Sequence, residues 1–527
     1  MGGQIKDYEG RRITGELSED IAAFKSIFSR DSVLRVREFH CGGDIDLGCA
    51  ALYFDGMVDP SIINDAIIKP MVGLGTLPPE AGDSGESADR IVRKVLYANE
   101  VAVTEDMAEM LRGMMYGDTL VLIDKSKKAL TVNTKGWKTR GISEPEDERI
   151  LEGPREGFEE AVMMNLALLR RKLQTPDFCA EFFRVGRRTD TKTYICYLDS
   201  LVSKRTLRQL KKRLQRIDID GIFDTNYISE LAADRRYSLF RTTGSTERPD
   251  IVAARLLEGR IAVLCDGSPM VITLPYLFSE NFQSDEDYYQ NFLTASIGRM
   301  LRYICFFISI SIPAVYVALT VFHKRLLPTP MLLSVAEARA GVPFSSVVEC
   351  VMLIIVFEIL KEAGVRTQQS LGQALSIVGG LVVGQAAVEA KIVSAPMLII
   401  VALSGIAGLM IPRLRAAVFY LRIGFVMAAS VLGLFGYITA LFIMLTRIMS
   451  LKSFGVDATP SLASPNAQSM KDTVVRAHFG FMRTRPAFNS NRIRMGYYER
   501  EENEYEDICE AEGKRTKDVE DQKEGRC

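Results

Sequence analysis

The chain has 527 residues, of which 47% are hydrophobic, and its net charge at pH 7 is −1. That length exceeds what one hydrophobic core usually supports, and the balanced charge gives no indication of a nucleic-acid partner. The nine cysteines form no C-x-x-C pair and the three histidines are isolated, so the sequence predicts no metal site, no cofactor and no enzyme.

An N-terminal tail of residues 1–30 precedes a small α/β subdomain that is predicted over residues 31–150. The N-terminus has no apolar signal region, so we expect this head to stay in the cytoplasm. The predicted elements are strands at 33–40 and 49–58, a helix from Pro60 and a hairpin that turns near residues 125–128.

A second α/β subdomain is predicted over residues 151–295, after a connector rich in Gly, Pro and charge. Pro249 suits a first helical turn, for which Ser245 or Thr246 can act as the cap. Asp266 and Gly267 form a turn between two alternating strands. The predicted elements are helices at 158–173, 203–216 and 251–257 and strands at 191–199, 260–264 and 270–274.

The helix at 203–216 is strongly basic around an apolar stripe of Leu207, Leu210 and Leu214. A solvated or salt-bridged face is the main interpretation of such a charge run. Contact with anionic lipid headgroups is the functional alternative, because a membrane segment follows in the chain.

Residues 296–453 are predicted to form an α-helical multi-span membrane domain. The run from Leu301 to Phe322 has no charge after Arg302 and is long enough to cross the hydrocarbon layer. Further apolar runs predict about four to six spans. These runs are 347–360, 371–388, 392–412 and 423–446.

The charged tail at 454–527 is predicted to be largely disordered, above all from residue 490 onwards. One unbroken helix over 423–446 would place this tail opposite the head. A break near Gly433 and Gly436 would return it to the cytoplasmic side, which is the arrangement that we favour.

Several short motifs occur in a fixed order along the chain: GPREGF, TERPD, LLEGR, DGSP and DEDYY in the second subdomain, then EILKEAGVR and IVGGLVVGQAAVEAKIVS in the apolar part. Together they resemble the spore germinant receptor A-subunit family (GerA type) over roughly residues 150–485. The motif residues that we single out are Gly153, Pro154, Arg155, Thr246, Glu247, Arg248, Pro249, Asp250, Asp266 and Gly267.

The resemblance implies a subunit of a nutrient receptor in the spore inner membrane. Such A-subunits work with a multi-span B-subunit that binds the germinant and with a C-subunit lipoprotein. The resemblance also implies a homo-oligomeric ring in the lipid membrane, expected to be a pentamer, whose helices form an ion channel that opens when the germinant binds. For TERPD itself, local ion pairs at a helix start and a role in gating or subunit contact remain alternatives.

Val378, Val382, Gln385 and Glu389 are spaced by four, three and four residues and so share one face of a helix. In a ring of copies, valine girdles would form a hydrophobic gate and a ring of Glu389 would attract cations. The alternative is a tightly packed helix, because glycines in this segment let neighbouring backbones approach closely.

Three further carboxylates, Glu349, Glu358 and Glu362, lie in or beside an apolar run. They belong either to an ion path or to interfacial salt bridges with Lys361 and Arg366. A non-conducting scaffold or signal transducer of the same receptor is the main functional alternative to a channel. A secondary transporter is the third, although the sequence has no internal repeat.

Overall fold

The computed structural model describes residues 5–41, 47–73, 98, 100–136, 145, 148, 150, 152–234, 238–366, 384–459, 471–482 and 485. In these residues two five-stranded antiparallel sheets form an α/β head, which is followed by a group of apolar helices. The α/β head that the sequence predicts is confirmed.

The first sheet has the strand order β1-β2-β4-β5-β3. Its elements are β1 (Leu34–Cys41), β2 (Leu47–Phe54), β3 (Val101–Thr104), β4 (Thr119–Ile123), β5 (Ala129–Val132), α1 (Leu17–Ile27) and α2 (Met107–Met115). A helical stretch of Pro60–Ile62, Ile63–Ile68 and Lys69–Val72 follows β2, and its middle part is a π-helix. Methionines of α2 and Phe54 fill the core beneath this sheet.

The second sheet repeats the same connectivity, with the order β6-β7-β9-β10-β8. Its strands are β6 (Phe178–Val185), β7 (Thr191–Leu198), β8 (Gly244–Thr246), β9 (Ile261–Cys265) and β10 (Val271–Leu274). Its helices are α3 (Val162–Lys172), α4 (Lys204–Leu214), α5 (Thr225–Ala232) and α6 (Pro249–Leu257).

Two details of the second sheet differ from the expectation. The strands β9 and β10 are buried at every position rather than on alternate residues, because helices cover both faces of the sheet. The cap of α6 is Arg248 rather than Ser245 or Thr246, because Thr246 is held in β8 and its hydroxyl instead accepts a hydrogen bond from the Arg248 N–H, at 3.1 Å.

The apolar part contains α7 (Phe292–Val321), α8 (Thr329–Ala338), α9 (Ser346–Arg366), α10 (Ala395–Leu409) and α11 (Arg415–Met449). Within the described residues, the two helical segments Phe292–Val321 and Pro412–Met449 are long and apolar enough to cross a membrane. Much of their apolar surface is exposed, as it is on α10.

The helix α11 is broken at Gly433, which has φ of 60° and ψ of −139°. Gly433 lies against His323, beyond the end of α7 that is remote from the head. Arg413, just before α11, contacts the head, and Ser453, just after it, donates a hydrogen bond to the Thr242 carbonyl at 2.6 Å. The two halves of α11 therefore form a hairpin that starts and ends at the head, so the break near Gly433 that we favoured is present.

One hydrophobic cluster runs without interruption from the head into the helices. It joins Phe278 and Phe282 of the head to Phe306 of α7 and Leu414 before α11. In the middle of the helices, Arg422 is buried and donates to the Ser309 hydroxyl at 2.6 Å and to the Ser404 carbonyl at 2.9 Å. Polar side chains thus tie α7, α10 and α11 together.

Candidate functional site

The motif residues Thr246 to Asp250 meet the Gly153–Phe158 segment at the start of α6. Arg248 is fully buried, and its Nη2 donates to the Asp250 Oδ2 at 2.7 Å and to the Pro154 carbonyl at 3.1 Å. The Phe158 N–H donates to the Glu247 carbonyl at 2.7 Å. Arg248 therefore neutralises the Asp250 carboxylate in the first turn of α6. It also holds the segment around Pro154, which precedes α3.

The same carboxylate connects these two motifs with the segment before the first long apolar helix. Asp250 accepts a hydrogen bond from the Tyr289 hydroxyl. A Cβ at Gly153 would lie 2.8 Å from the Tyr289 ring, and Gly153 has φ of 124°, so only glycine suits this position. Arg155, which belongs to the same Gly153–Phe158 segment, is exposed.

Asp266 and Gly267 occupy the turn between β9 and β10. The Asp266 carboxylate accepts from the Val162 N–H at 3.2 Å and so caps α3 from a distant part of the chain. The Gly267 N–H donates to the Glu160 carbonyl at 2.8 Å, and its φ of 87° favours glycine. This turn is a structural contact within the head.

A second buried group of charges lies where the head ends. Arg260 is 1% exposed, and its guanidinium donates to the Glu258 carboxylate at 2.9 Å and to the Glu280 carboxylate at 2.5 Å. Arg255 reaches the other oxygen of Glu280 at 3.0 Å. Two arginines and two glutamates thus compensate one another in the layer nearest to the helices.

Asp287 connects this layer to α7. Arg299 is fully buried, and its Nε lies 3.1 Å from Asp287, while the Arg302 Nη2 lies 2.7 Å from the same carboxylate. The Arg299 Nη1 also lies 2.9 Å from Asp472 of the C-terminal segment, to which the Tyr288 hydroxyl donates at 2.9 Å. The first long apolar helix, the head and the tail therefore share one ionic cluster.

Arg413 makes the equivalent connection to α11. Its Nη2 lies 2.9 Å from Asp285 and 3.7 Å from Glu148, and its Nη1 donates to the Glu280 carbonyl at 3.1 Å. Glu148 in turn accepts from the Thr246 hydroxyl at 2.5 Å. Burial, and secondly the Asp285 charge, raise the pKa of the Glu148 carboxyl, although Arg413 opposes this change.

A cavity of about 520 Å³ opens between these groups. The head contributes Glu148, Thr246 and Asp285 to its wall, and the helical part contributes Pro412 and Arg413. We call this region, from the start of α6 to the beginnings of α7 and α11, the head–helix junction. Ion pairs at this junction connect the head to the beginnings of both helices.

The three carboxylates that we singled out in the apolar part, Glu349, Glu358 and Glu362, each have a contact within the chain. Glu349 is fully buried and accepts from the Ser394 N–H and hydroxyl, both at 2.5 Å. Glu358 lies 2.5 Å from the Lys361 Nζ. Glu362 is exposed and lies 3.6 Å from Arg415.

The predicted pore face is described only at its C-terminal end. Val378 and Val382 lie outside the described residues. Gln385 and Glu389 are on an exposed helical face, and the Gln385 side-chain amide donates to the Glu389 carboxylate at 3.1 Å. This polar pair therefore points away from the chain's own helices.

Sequence reasoning missed the residues that complete the junction from elsewhere in the chain. Glu148, Glu280, Arg413 and Asp472 belong to no motif that we singled out. A signal was available for Arg413, because it directly follows an apolar run and so marks a boundary of that run. The other three gave no comparable signal, because their partners are more than a hundred residues away or on another element.

These features define a two-part protein in which an α/β head is joined by buried and partly exposed ion pairs to helices that are long and apolar enough to cross a membrane. The sequence model described as "Bacillus/Clostridium GerA spore germination protein" matches residues 22–488. The chain belongs to this family.

Relatives of similar length support the assignment. Spore germination protein KA of Bacillus subtilis (strain 168) is 37% identical over 494 residues, which cover 93% of this chain and 90% of that protein. The membrane protein YfkQ of the same organism is 35% identical, covering 92% and 93%, and GerLA of Bacillus cereus is 30% identical, covering 90% and 96%.

A solved structure is also similar to part of the chain. It is the N-terminal domain of the A subunit of the Bacillus megaterium spore germinant receptor GerK3, with 29% identity and a TM-score of 0.39. The alignment covers 51% of this chain and 97% of that domain.

Proposed function

We propose that this chain is the A-subunit of a nutrient-sensing germinant receptor in the spore inner membrane and forms an ion channel there as a homo-oligomeric ring, a pentamer. A multi-span B-subunit binds the germinant, and a C-subunit lipoprotein completes the receptor. Germinant binding opens the pore, and the resulting ion release starts germination.

The exposed polar pair Gln385 and Glu389 is the observation that carries the channel proposal. A carboxylate in contact with lipid is costly, so such residues face a water-filled or protein-lined space. Among the residues that the structure describes, none covers this face, whereas a ring of copies would turn it toward a central pathway. The residues one and two turns earlier on the same face, Val382 and Val378, would then form the gate.

A multi-pass arrangement accounts for the helices in the same way. The helices α7, α9 and α10, the two halves of α11 and the predicted apolar run at 371–388 would together make six crossings, an even number that leaves the head and the described tail on one side. The exposed apolar side chains of α10 and α11, such as Ile399 and Phe435, would contact lipid or neighbouring subunits.

The head–helix junction suits the transmission of a signal. Arg299 and Arg413 connect the head to the beginnings of two different helices, so a rotation of the head relative to one helix would have to break or move an ion pair at the junction. A partner that binds the head could therefore alter the helices. The same coupling would serve a non-conducting scaffold, so the test must measure ion flow.

The test is the release of K⁺ from spores that carry this chain with its B- and C-subunits. We expect Val382→Ala, which shortens each side chain of the valine girdle to one methyl group and so widens the constriction, to cause K⁺ release without germinant. Ile399→Ala, at a 66% exposed position of α10, is the matched control and should leave release dependent on germinant. Germinant-dependent release by Val382→Ala spores at normal protein levels would favour the scaffold.

A further inference from the structure

The helix α4 presents a face made only of basic side chains to the outside of the head. We define the basic face by Arg205, Arg208 and Lys212 of α4 and Arg216 just after its end, which are exposed and follow one another at spacings of three and four residues. The opposite side of α4 is anchored in the core of the second subdomain by its buried leucines. The orientation of the basic face is therefore fixed by packing.

Among the described residues, the basic residues at the edges of α4 are paired with carboxylates, and those of the basic face are not. Lys211 lies next to Glu181, Arg213 next to Asp234 and Lys204 next to Asp199. Within the described part of the chain, no carboxylate lies within ion-pairing distance of the four residues of the basic face. Salt bridges therefore account for the basic residues at the edges of α4. They do not compensate the charge of the basic face.

The position of α4 places this charge beside the end of the last apolar helix. The Arg213 guanidinium lies 4.6 Å from the centre of the Phe454 ring, and the Phe454 N–H donates to Asp234, which follows α5. Phe454 is five residues after Met449, where α11 ends, so even an extended chain would separate them by at most about 18 Å. Arg447, in the last turn of α11, is exposed and suits the headgroup level.

We infer that the basic face of α4 binds the anionic phospholipid headgroups of the leaflet on the head side. Lys and Arg near an anionic surface each contribute about 1 kcal/mol, which is about a fivefold gain in affinity per residue. This inference rests on the membrane placement in the proposed function but not on ion conduction. The basic face would hold α4, and with it the second subdomain, against the membrane surface.

The test uses the full-length chain purified in an uncharged detergent, with dioleoyl phosphatidylglycerol or phosphatidylcholine added. The variant combines Arg205→Gln, Lys212→Gln and Arg216→Gln. The matched control removes three exposed lysines of the first subdomain, by Lys6→Gln, Lys25→Gln and Lys127→Gln. The readout is the lipid concentration at which the rise in melting temperature reaches half of its maximum.

We expect phosphatidylglycerol, but not phosphatidylcholine, to raise the melting temperature of the wild-type chain and of the control. The variant should need at least about tenfold more phosphatidylglycerol, and 0.5 M NaCl should weaken the wild-type response because salt screens exposed charges. An unchanged phosphatidylglycerol midpoint in the variant would overturn the inference. An equal response to soluble glycerophosphoglycerol would also overturn it, because it would indicate a site for small anions.

A single substitution, Lys212→Glu, keeps the test decisive if the triple variant does not fold. Its phosphatidylglycerol midpoint should rise severalfold, and an unchanged midpoint would again contradict a lipid surface. Germinant-triggered K⁺ release is measured separately. Loss of lipid binding with normal release would leave the channel proposal intact, and absence of release with normal lipid binding would leave the lipid surface intact.

Discussion

Arg248 and Asp250 are two residues apart in sequence, and the structure brings their side chains together at the start of α6. This contact is the local ion pair that was one of two interpretations of the motif. The same pair also contacts Pro154 and Tyr289, which come from two other motifs. The sequence therefore allows the local pair to be predicted, but not that it joins three separate segments, since this depends on how the sheet brings them together.

Substitution of Asp250 by alanine tests whether this pair stabilises the head. The change leaves the fully buried Arg248 without its carboxylate, so we expect the free energy of unfolding to fall by about 3 kcal/mol. Asp218→Ala, which removes an exposed partner of Arg187, should cost less than about 1 kcal/mol. The measurement is denaturant unfolding of the purified full-length chain. Equal, small losses in both variants would instead favour a role for Asp250 in gating or subunit contact.

The raised pKa of Glu148 makes the stability of the junction dependent on pH. A carboxyl group with a raised folded pKa adds stability below its ordinary pKa, near 4.5, and loses that stability as the pH rises through the folded value. Glu148→Gln is uncharged at every pH and keeps an acceptor for the Thr246 hydroxyl. We therefore expect equal melting temperatures for the variant and the wild type near pH 4, and a more stable variant at pH 7.5.

Melting curves between pH 4 and pH 8 provide the measurement for Glu148. The relevant quantity is the difference in melting temperature between the variant and the wild type, because the other titrating groups are common to both proteins. A wild type that becomes the more stable protein as the pH rises would show that the attraction of Arg413 outweighs the burial of Glu148.

At the scale of single elements, the sequence is most informative where the local pattern and the packing agree. The hairpin β4–β5 and the basic helix α4 occur where the patterns predict them. The strand β6 and the helix α5 were not predicted. The strand β6 mixes apolar residues with Glu181 and Arg184, so its sequence has no clear strand periodicity. It lies at the edge of the sheet, where pairing with β7 stabilises it.

The break in α11 shows where glycine carries information. Gly433 adopts a backbone conformation that side chains rarely allow, and a Cβ there would lie 2.7 Å from the His323 ring. The nearby Gly424 has no atom within 4 Å of the position of a Cβ. The sequence predicts the break near Gly433 and Gly436 but does not assign it to one residue, because the deciding contact is made with the segment that follows α7.

Alanine substitutions at these two positions therefore have opposite expected effects. Gly433→Ala should destabilise the hairpin by at least about 2 kcal/mol because of backbone strain and the clash with His323. Gly424→Ala should be neutral or slightly stabilising, since alanine favours the interior of a helix. The amount of folded full-length protein in membranes and its melting temperature measure both. Equal behaviour of the two variants would contradict a turn at Gly433.

At the scale of the whole molecule, the proposed function assigns signal transmission to the junction and the ion pathway to the exposed polar face. The ion pairs of Arg299 and Arg413 connect the head to the helices, and Asp472 adds the C-terminal segment to the same cluster. Although the tail was predicted to be largely disordered, its residues 471–482 pack on the head and on α7. The tail from residue 490 onwards lies outside the described residues.

How the copies of the chain assemble cannot be predicted from the sequence of one copy. The spacing of Gln385 and Glu389 predicts a shared helical face, and both residues are exposed in the structure. In the proposed ring, the surroundings of this face depend on neighbouring subunits, whose arrangement no local pattern encodes. The central claim, that Glu389 faces the pore of a ring, is therefore best tested by changing the charge at that position.

The most direct measurement is germinant-triggered K⁺ release from spores whose receptor carries Glu389→Lys. A ring of lysines would repel cations from the pore, so release should slow by at least about tenfold, which needs a barrier of only about 1.4 kcal/mol. The control is Glu337→Lys, the same charge reversal at an exposed position of α8, which should release K⁺ normally. Normal K⁺ release by the Glu389→Lys receptor, at normal protein levels, would contradict a pore at this helix.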